Sequence, residues 1–206
     1  MVDLPGHGIN RDLPLGDIEQ VTEHIATVIP DDSIVLAWSL GGLIAQNIAL
    51  RFPTKVNRLT LVATSLSFVQ HDDWKHAMQP EILQGFVENL QEDFAGTLKR
   101  FLGLQFMGVK GVQKQIKSLR DNLLAQPPAT QALIDGLGIL KTADFHHQKQ
   151  TVQTQWILGR LDRLVPASVE VDLARLAHNR VDIIANAGHA PFISHPSDFI
   201  QSFLNA

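Results

Sequence analysis

The chain has 206 residues, 45 % apolar and 18 % charged, a balance that suits one globular domain with an insertion and a sizeable core. A formal charge of −4 argues against general nucleic-acid binding, and no run of eighteen apolar residues exists to cross a membrane. The absence of cysteine excludes disulfides, thiol catalysis and cysteine-ligated metals, and fits a reducing, cytoplasmic compartment.

The opening Met1-Val-Asp-Leu-Pro-Gly has neither a basic nor an apolar region, so no signal peptide is expected. Val2-Asp-Leu-Pro-Gly-His-Gly8 reads as a turn after a strand, with only one or two strand residues ahead of it. Asp17 is placed to cap a helix with Ile18, Val21, Ile25, Val28 and Ile29 on one face, stopped by Pro30. Ser33 to Ala37 reads as a buried strand, and Ala37-Trp-Ser-Leu-Gly41 is a sharp break after it. Leu43, Ile44, Ile48 and Leu50 then recur at helical spacing as far as Pro53. Val56 to Ala63 reads as a second strand, with Leu59, Leu61 and Val62 inside.

From Leu66 to Phe145 strand signals vanish. Apolar residues from Trp74 through Phe86, Leu90, Phe94, Leu98 and Phe101 to Leu124 follow helical patterns, Pro127-Pro128 interrupts them, and a further helical stretch spans Leu133 to Leu140. This is expected to be a helical lid, residues 66–145, inserted between core segments 1–65 and 146–206. The α/β pattern then resumes: a strand from Val152 to Leu158, a helix from Ala167 to Ala177, a strand from Val181 to Ala185, and a last helix carrying Phe192, Phe199 and Phe203. Strands alternating with helices imply an α/β fold with a mainly parallel sheet covered on both faces.

Three residues stand where such a sheet places its chemistry. Ser39, Asp162 and His189 each follow a strand, and in a parallel sheet those loops gather at the carboxyl edge. A serine on a tight strand-to-helix turn is a nucleophile elbow, with the next N–H, here Leu40, pointing into an oxyanion hole. The small residues Ala37 and Gly41 suit that bend, though glycine is commoner at the first position. In this order Ser39 would attack an acyl carbon, His189 would relay the proton, and Asp162 would hold the imidazole. Taken singly, Ser39 also reads as a helix N-cap, Asp162 as a loop residue and His189 as a turn histidine. His7, His195 and the His146-His147 pair compete for the histidine role. The pair lies in a polar run without spaced carboxylates, so it is set aside as solvated, and no metal or cofactor is expected.

Asp3-Leu-Pro-Gly-His-Gly, Trp38-Ser-Leu-Gly-Gly, Gly159-Arg-Leu-Asp162-Arg-Leu-Val-Pro166 and Gly188-His-Ala-Pro-Phe-Ile-Ser-His-Pro196 resemble the α/β-hydrolase superfamily. Arg100-Phe-Leu-Gly-Leu-Gln-Phe-Met-Gly108 and Gly138-Ile-Leu-Lys-Thr-Ala-Asp144 carry the likeness through the lid. More narrowly, the chain resembles the pimeloyl-[acyl-carrier protein] methyl ester esterases of biotin synthesis, the BioH type. The resemblance implies a serine carboxylesterase that cleaves a methyl ester carried on acyl carrier protein and releases methanol. Trp38, Arg100, Phe101, Lys114 and Lys117 become candidate substrate- or carrier-binding residues. The implied enzyme works as a monomer, without a membrane or nucleic-acid partner.

Charge points the same way. Between Phe94 and Arg120 there is no acidic residue but six basic ones, Lys99, Arg100, Lys110, Lys114, Lys117 and Arg120. Lys110, Lys114 and Lys117 are expected on one helical face, a docking surface for an acidic partner such as acyl carrier protein; a plain solvated face is the alternative. The family tends to place arginines where this chain has Gly96, Gln113 and Lys117, and lysine keeps the charge but not the bidentate fork. The resemblance also implies strands and a His-Gly-x loop ahead of Asp3-Leu-Pro-Gly, with the second oxyanion N–H in that loop. The expectation is therefore one donor, Leu40, an exposed sheet edge and a nearly inactive piece. A general short-chain esterase or lactonase, and an inactive remnant, are the rival readings.

Overall fold

The computed structural model describes residues 1–176 and 179–205. Four parallel strands, β1 (Ser33–Trp38), β2 (Val56–Val62), β3 (Gln153–Gly159) and β4 (Asn179–Ile184), lie side by side in chain order. Alternation along the inner strands sends side chains to two cores. Leu59, Leu61, Trp156 and Leu158 join the larger one, with Leu43, Ile44 and Ile48 of helix α2 (Leu40–Arg51). Val62, Ile157 and Ile184 join a smaller one under Phe199 of helix α9 (Pro196–Leu204). A period of two with apolar residues at both phases is the pattern of a parallel sheet covered on both faces.

β1 departs from its expected burial. It pairs only with β2 among the described residues, and Ile34 and Leu36 are 61 % and 47 % exposed. Only its other face, through Val35 and Ala37, packs on the core. Apolar composition marks the strand but reads it as buried; the exposed sheet edge is the one the family resemblance implies, and β1 forms it.

Helix α1 (Ile18–Val28) starts in a capping box. Asp17 Oδ1 accepts from the Gln20 N–H at 2.8 Å, and Gln20 Oε1 accepts from the Asp17 N–H at 3.0 Å. Its buried stripe is Val21, Thr22, Ile25 and Ala26, while Val28 is exposed. Thr22 takes the inward place expected of an apolar residue because buried Asn47 donates to its hydroxyl at 3.0 Å.

Between β2 and β3 lie helices α3 (Pro80–Glu92), α4 (Phe94–Gln105), α5 (Gln113–Ala125) and α6 (Thr130–Thr142). The chain leaves and returns through paired segments: Ser67 and Asp144 form an antiparallel bridge, and the Phe145 N–H donates to Leu66 O at 2.9 Å. Leu83, Ile139 and Leu140 share the larger core with the sheet, whereas α5 buries no residue. Trp74 sits in the connection before α3. Lys110 lies in the turn before α5, so only Lys114 and Lys117 share that helix.

Two later helices are broken where single ones are expected. Ala167 begins a 3-10 turn that passes into the short α7 (Glu170–Leu173), and Ala177 falls outside the described residues. Phe192 lies in α8 (Pro191–Ser194), separated from α9 because Pro196 lacks the N–H that would continue the helix. Among the described residues, no helix is long and apolar enough to cross a membrane.

Candidate active site

Ser39 joins β1 to α2 with φ 52° and ψ −122°, a conformation costly for any residue with a Cβ, of order 1–3 kcal/mol. Two backbone bonds hold it there: Ser39 N–H to Val62 O at 3.0 Å and Gly42 N–H to Ser39 O at 2.8 Å. The glycine this turn cannot replace is Gly42, not Gly41. A Cβ on Gly42 would lie 2.4 Å from Thr64 Cγ2, while one on Gly41 meets nothing within 4 Å. Leu40 is the first residue of α2, so its N–H has no acceptor within the helix and lies beside the serine at the positive end of the dipole.

The other two loops are brought together by close backbone approach. A Cβ on Gly159 would fall 2.1 Å from Gly188 O, so glycine at the end of β3 is what lets them touch. The Arg160 N–H donates to Ile184 O at 3.0 Å, and the Leu161 N–H to Ala187 O at 2.9 Å. Asp162 and His189 are both buried, with side chains 0 % exposed. Asp162 Oδ1 accepts from the N–H groups of Leu164 and Val165 at 2.8 and 3.1 Å. Its Oδ2 is 2.8 Å from His189 Nδ1, and His189 Nε2 is 2.8 Å from Ser39 Oγ. With the ring neutral, Nδ1 donates to the carboxylate, which leaves Nε2 to accept the serine proton. Such a chain of hydrogen bonds can generate a nucleophilic alkoxide and return the proton to a leaving group.

The profile of the alpha/beta hydrolase family matches residues 1–202. The chain belongs to that family. Within this α/β-hydrolase family, a pimeloyl-[acyl-carrier protein] methyl ester esterase of Pseudoalteromonas atlantica is 41 % identical, over 97 % of this chain and 80 % of its own. One from Salmonella paratyphi A is 40 % identical, over 99 % and 81 %. Among solved structures, an esterase of Exiguobacterium antarcticum superposes with a TM-score of 0.89 at 21 % identity, covering 98 % of this chain and 78 % of that one, a likeness of fold.

The helical insertion closes on the candidate site at two points. Gln105, at the end of α4, accepts from the His189 N–H at 2.9 Å, and a Cβ on Gly188 would strike the same carbonyl at 2.6 Å. Gly136 of α6 lies over Leu40, where an added Cβ would be 3.1 Å from Leu40 Cδ2. Trp38 donates its indole N–H to His189 O at 2.7 Å and packs edge-on against Phe192. The structure thus places Trp38 as a brace on the histidine loop, a role its position beside Ser39 did not signal. Phe101 is half-buried and meets Phe86 edge-on.

The basic residues are less free than their sequence neighbourhood implies. Asp93 and Asp121, just outside the acid-free stretch, fold back onto it. Arg100 donates to Thr97 Oγ1 at 2.7 Å and lies 3.4 Å from Asp93; Lys117 reaches Asp121 at 2.7 Å, and Arg120 is 3.4 Å from the same carboxylate. The Lys117 hydrogen bond holds the Asp121 carboxyl below its ordinary value. Lys99 and Arg120 also line an apolar cavity of about 200 Å³ between α4 and α5, which includes none of the three catalytic candidates.

The competing histidines lie elsewhere. His7 Nδ1 bonds Pro5 O at 3.0 Å, and His195 Nδ1 bonds Ser194 Oγ at 3.0 Å. The His146-His147 pair is not the solvated pair expected: the His146 side chain is only 9 % exposed and meets Asp144 and Asp73. The second carboxylate arrives from Asp73, remote in sequence, by tertiary folding.

Proposed function

We propose that the protein is a serine carboxylesterase that hydrolyses the methyl ester of pimeloyl-acyl carrier protein. The observation that carries this is the closed path from Ser39 Oγ through His189 to a buried, twice-anchored Asp162. The identity of 41 % with a pimeloyl-[acyl-carrier protein] methyl ester esterase supports the substrate class.

Ser39 Oγ attacks the ester carbonyl carbon as its proton passes to His189 Nε2. The carbonyl oxygen becomes an oxyanion beside the Leu40 N–H, where preorganised donors act most strongly. Asp162 stabilises the imidazolium by accepting from Nδ1. Collapse breaks the bond to the methoxy oxygen, which takes the proton from Nε2 and leaves as methanol. Water then gives a proton to His189 and attacks the acyl-serine, releasing the pimeloyl carboxylate, and Ser39 recovers its proton.

The helices between β2 and β3 act as the lid that selects the substrate. Arg100, Lys114 and Lys117 offer cations to an acidic carrier, and Trp38 and Phe101 flank the acyl path. The test compares two substrates. Arg100→Glu with Lys117→Glu is expected to lower kcat/KM on the carrier-bound methyl ester about tenfold or more and to leave a p-nitrophenyl ester nearly unchanged. Equal losses on both would favour a general short-chain esterase or lactonase.

A further inference from the structure

At the foot of the helical insertion the fold gathers three histidines and two aspartates. Asp73 stands on the outgoing segment; Asp144, His146 and His147 stand on the returning one. His146 is walled by Trp74 and His71, with ring centroids 5.7 and 5.3 Å away. Its Nδ1 donates to Asp144 Oδ1 at 2.5 Å. With Nδ1 turned to Asp144, Nε2 is the ring's free ligand position. This atom is buried and faces Asp73 Oδ2 at 3.1 Å, a close approach whose alignment for a hydrogen bond is poor. His147 Nε2 approaches the same oxygen to 3.0 Å, and the two imidazole rings lie 3.7 Å apart.

This arrangement is explained poorly by packing. Two imidazole nitrogens converge on one carboxylate oxygen, and one of them is buried. A cation between them satisfies all three. The ligand atoms of Asp73, His146 and His147 lie within 4.8 Å of one another, and bonds of about 2.0–2.2 Å to a tetrahedral ion bring neighbouring donors to roughly the separations seen. Asp144 fills the outer position, because a carboxylate on the far nitrogen fixes the tautomer and raises the basicity of a metal-bound histidine. Behind it, Asp144 Oδ2 is 3.5 Å from His71 Nε2, which Ser67 Oγ holds at 2.8 Å. His147 and Asp73 are largely exposed, so an ion has an entry path and a fourth position for water.

We propose that Asp73, His146 and His147 bind one divalent transition-metal ion of the zinc class, which clamps the two stems of the insertion together. Imidazole and carboxylate donors suit Zn²⁺, Co²⁺ or Ni²⁺ over Mg²⁺ or Ca²⁺. An ion bound only in the folded protein stabilises it by mass action.

The test uses the tag-free chain, titrated with Zn²⁺ by calorimetry and with Co²⁺ by visible absorption. The expected result is one ion per chain, a ligand-field band typical of four-coordinate Co²⁺, and a Tm that rises with Zn²⁺. Asp73→Asn and His147→Ala change exposed side chains and are expected to keep the metal-free Tm while weakening Zn²⁺ binding by more than about tenfold. Asp144→Asn is expected to weaken it by about 10–100-fold. Wild-type protein that binds Zn²⁺ no more tightly than the Asp73→Asn, His147→Ala double variant, or that shows no such Co²⁺ band, would overturn the proposal and leave a proton-shared ion-pair cluster.

Discussion

The rim of the sheet and helix α5 of the insertion are built on opposite terms. At the rim, Asp162 and His189 are wholly buried, the loops that carry them touch backbone to backbone, and two N–H groups anchor one carboxylate. Helix α5 buries no residue and holds its charges in exposed pairs such as Lys117–Asp121. Buried, over-determined groups have one geometry, which a proton relay needs. Exposed pairs are worth little and rearrange readily, which suits recognition of a partner by its charge. Under the proposed function, chemistry belongs to the rim and selection to the helices.

The largest effect should follow from breaking the rim. Asp162→Asn is expected to lower kcat on any ester by about 10⁴ with little change in KM, because the imidazole loses its orienting acceptor. A variant that retained most of its activity would remove Asp162 from the relay. Next comes a backbone change. Gly188→Ala drives a Cβ into the Gln105 carbonyl and displaces His189, and misplacement on the ångström scale costs about a hundredfold. Stopped-flow acylation reads that loss directly.

Changes on α5 should be milder and confined to the carrier-bound substrate. Asp121→Asn frees Lys117 and Arg120 from their shared carboxylate, so KM for that substrate is expected to fall a fewfold while the small ester is unaffected. The same pair has a pH signature. Because the Lys117 hydrogen bond depresses the Asp121 carboxyl, its stabilising effect is present above about pH 4 and is lost as pH falls through the folded value. The small Tm difference between wild type and Asp121→Asn at neutral pH is expected to vanish in acid. A difference that persisted there would mean the pair is not what α5 gains from Asp121.

Much of this was legible in the chain itself. The strand, the small residues around Ser39, and the later Asp162 and His189 loops each have a local signature, because turns and strand ends are set by neighbours in sequence. Leu59, Leu61 and Val62 were readable as core for the same reason. What escaped depends on distant residues. The family resemblance implies an exposed edge, but Ile34 and Leu36 by themselves read as buried, so the residues do not say which strand carries it. The breaks after Ala167 and around Pro196 are hidden in the sequence because apolar spacing continues across them. Asp93 and Asp121 were visible, yet their approach to Arg100 and Lys117 came only with the fold. The meeting of Asp73 with His146 and His147 needed the two stems of the insertion to pair.

The most direct test of the central claim is intact-mass analysis after exposure to a fluorophosphonate ester probe, followed by peptide mapping. The account predicts a single adduct on the peptide containing Ser39, absent from Ser39→Ala and formed far more slowly in Asp162→Asn. A folded protein that takes no label, or that is labelled equally well without the Ser39 hydroxyl, would contradict it.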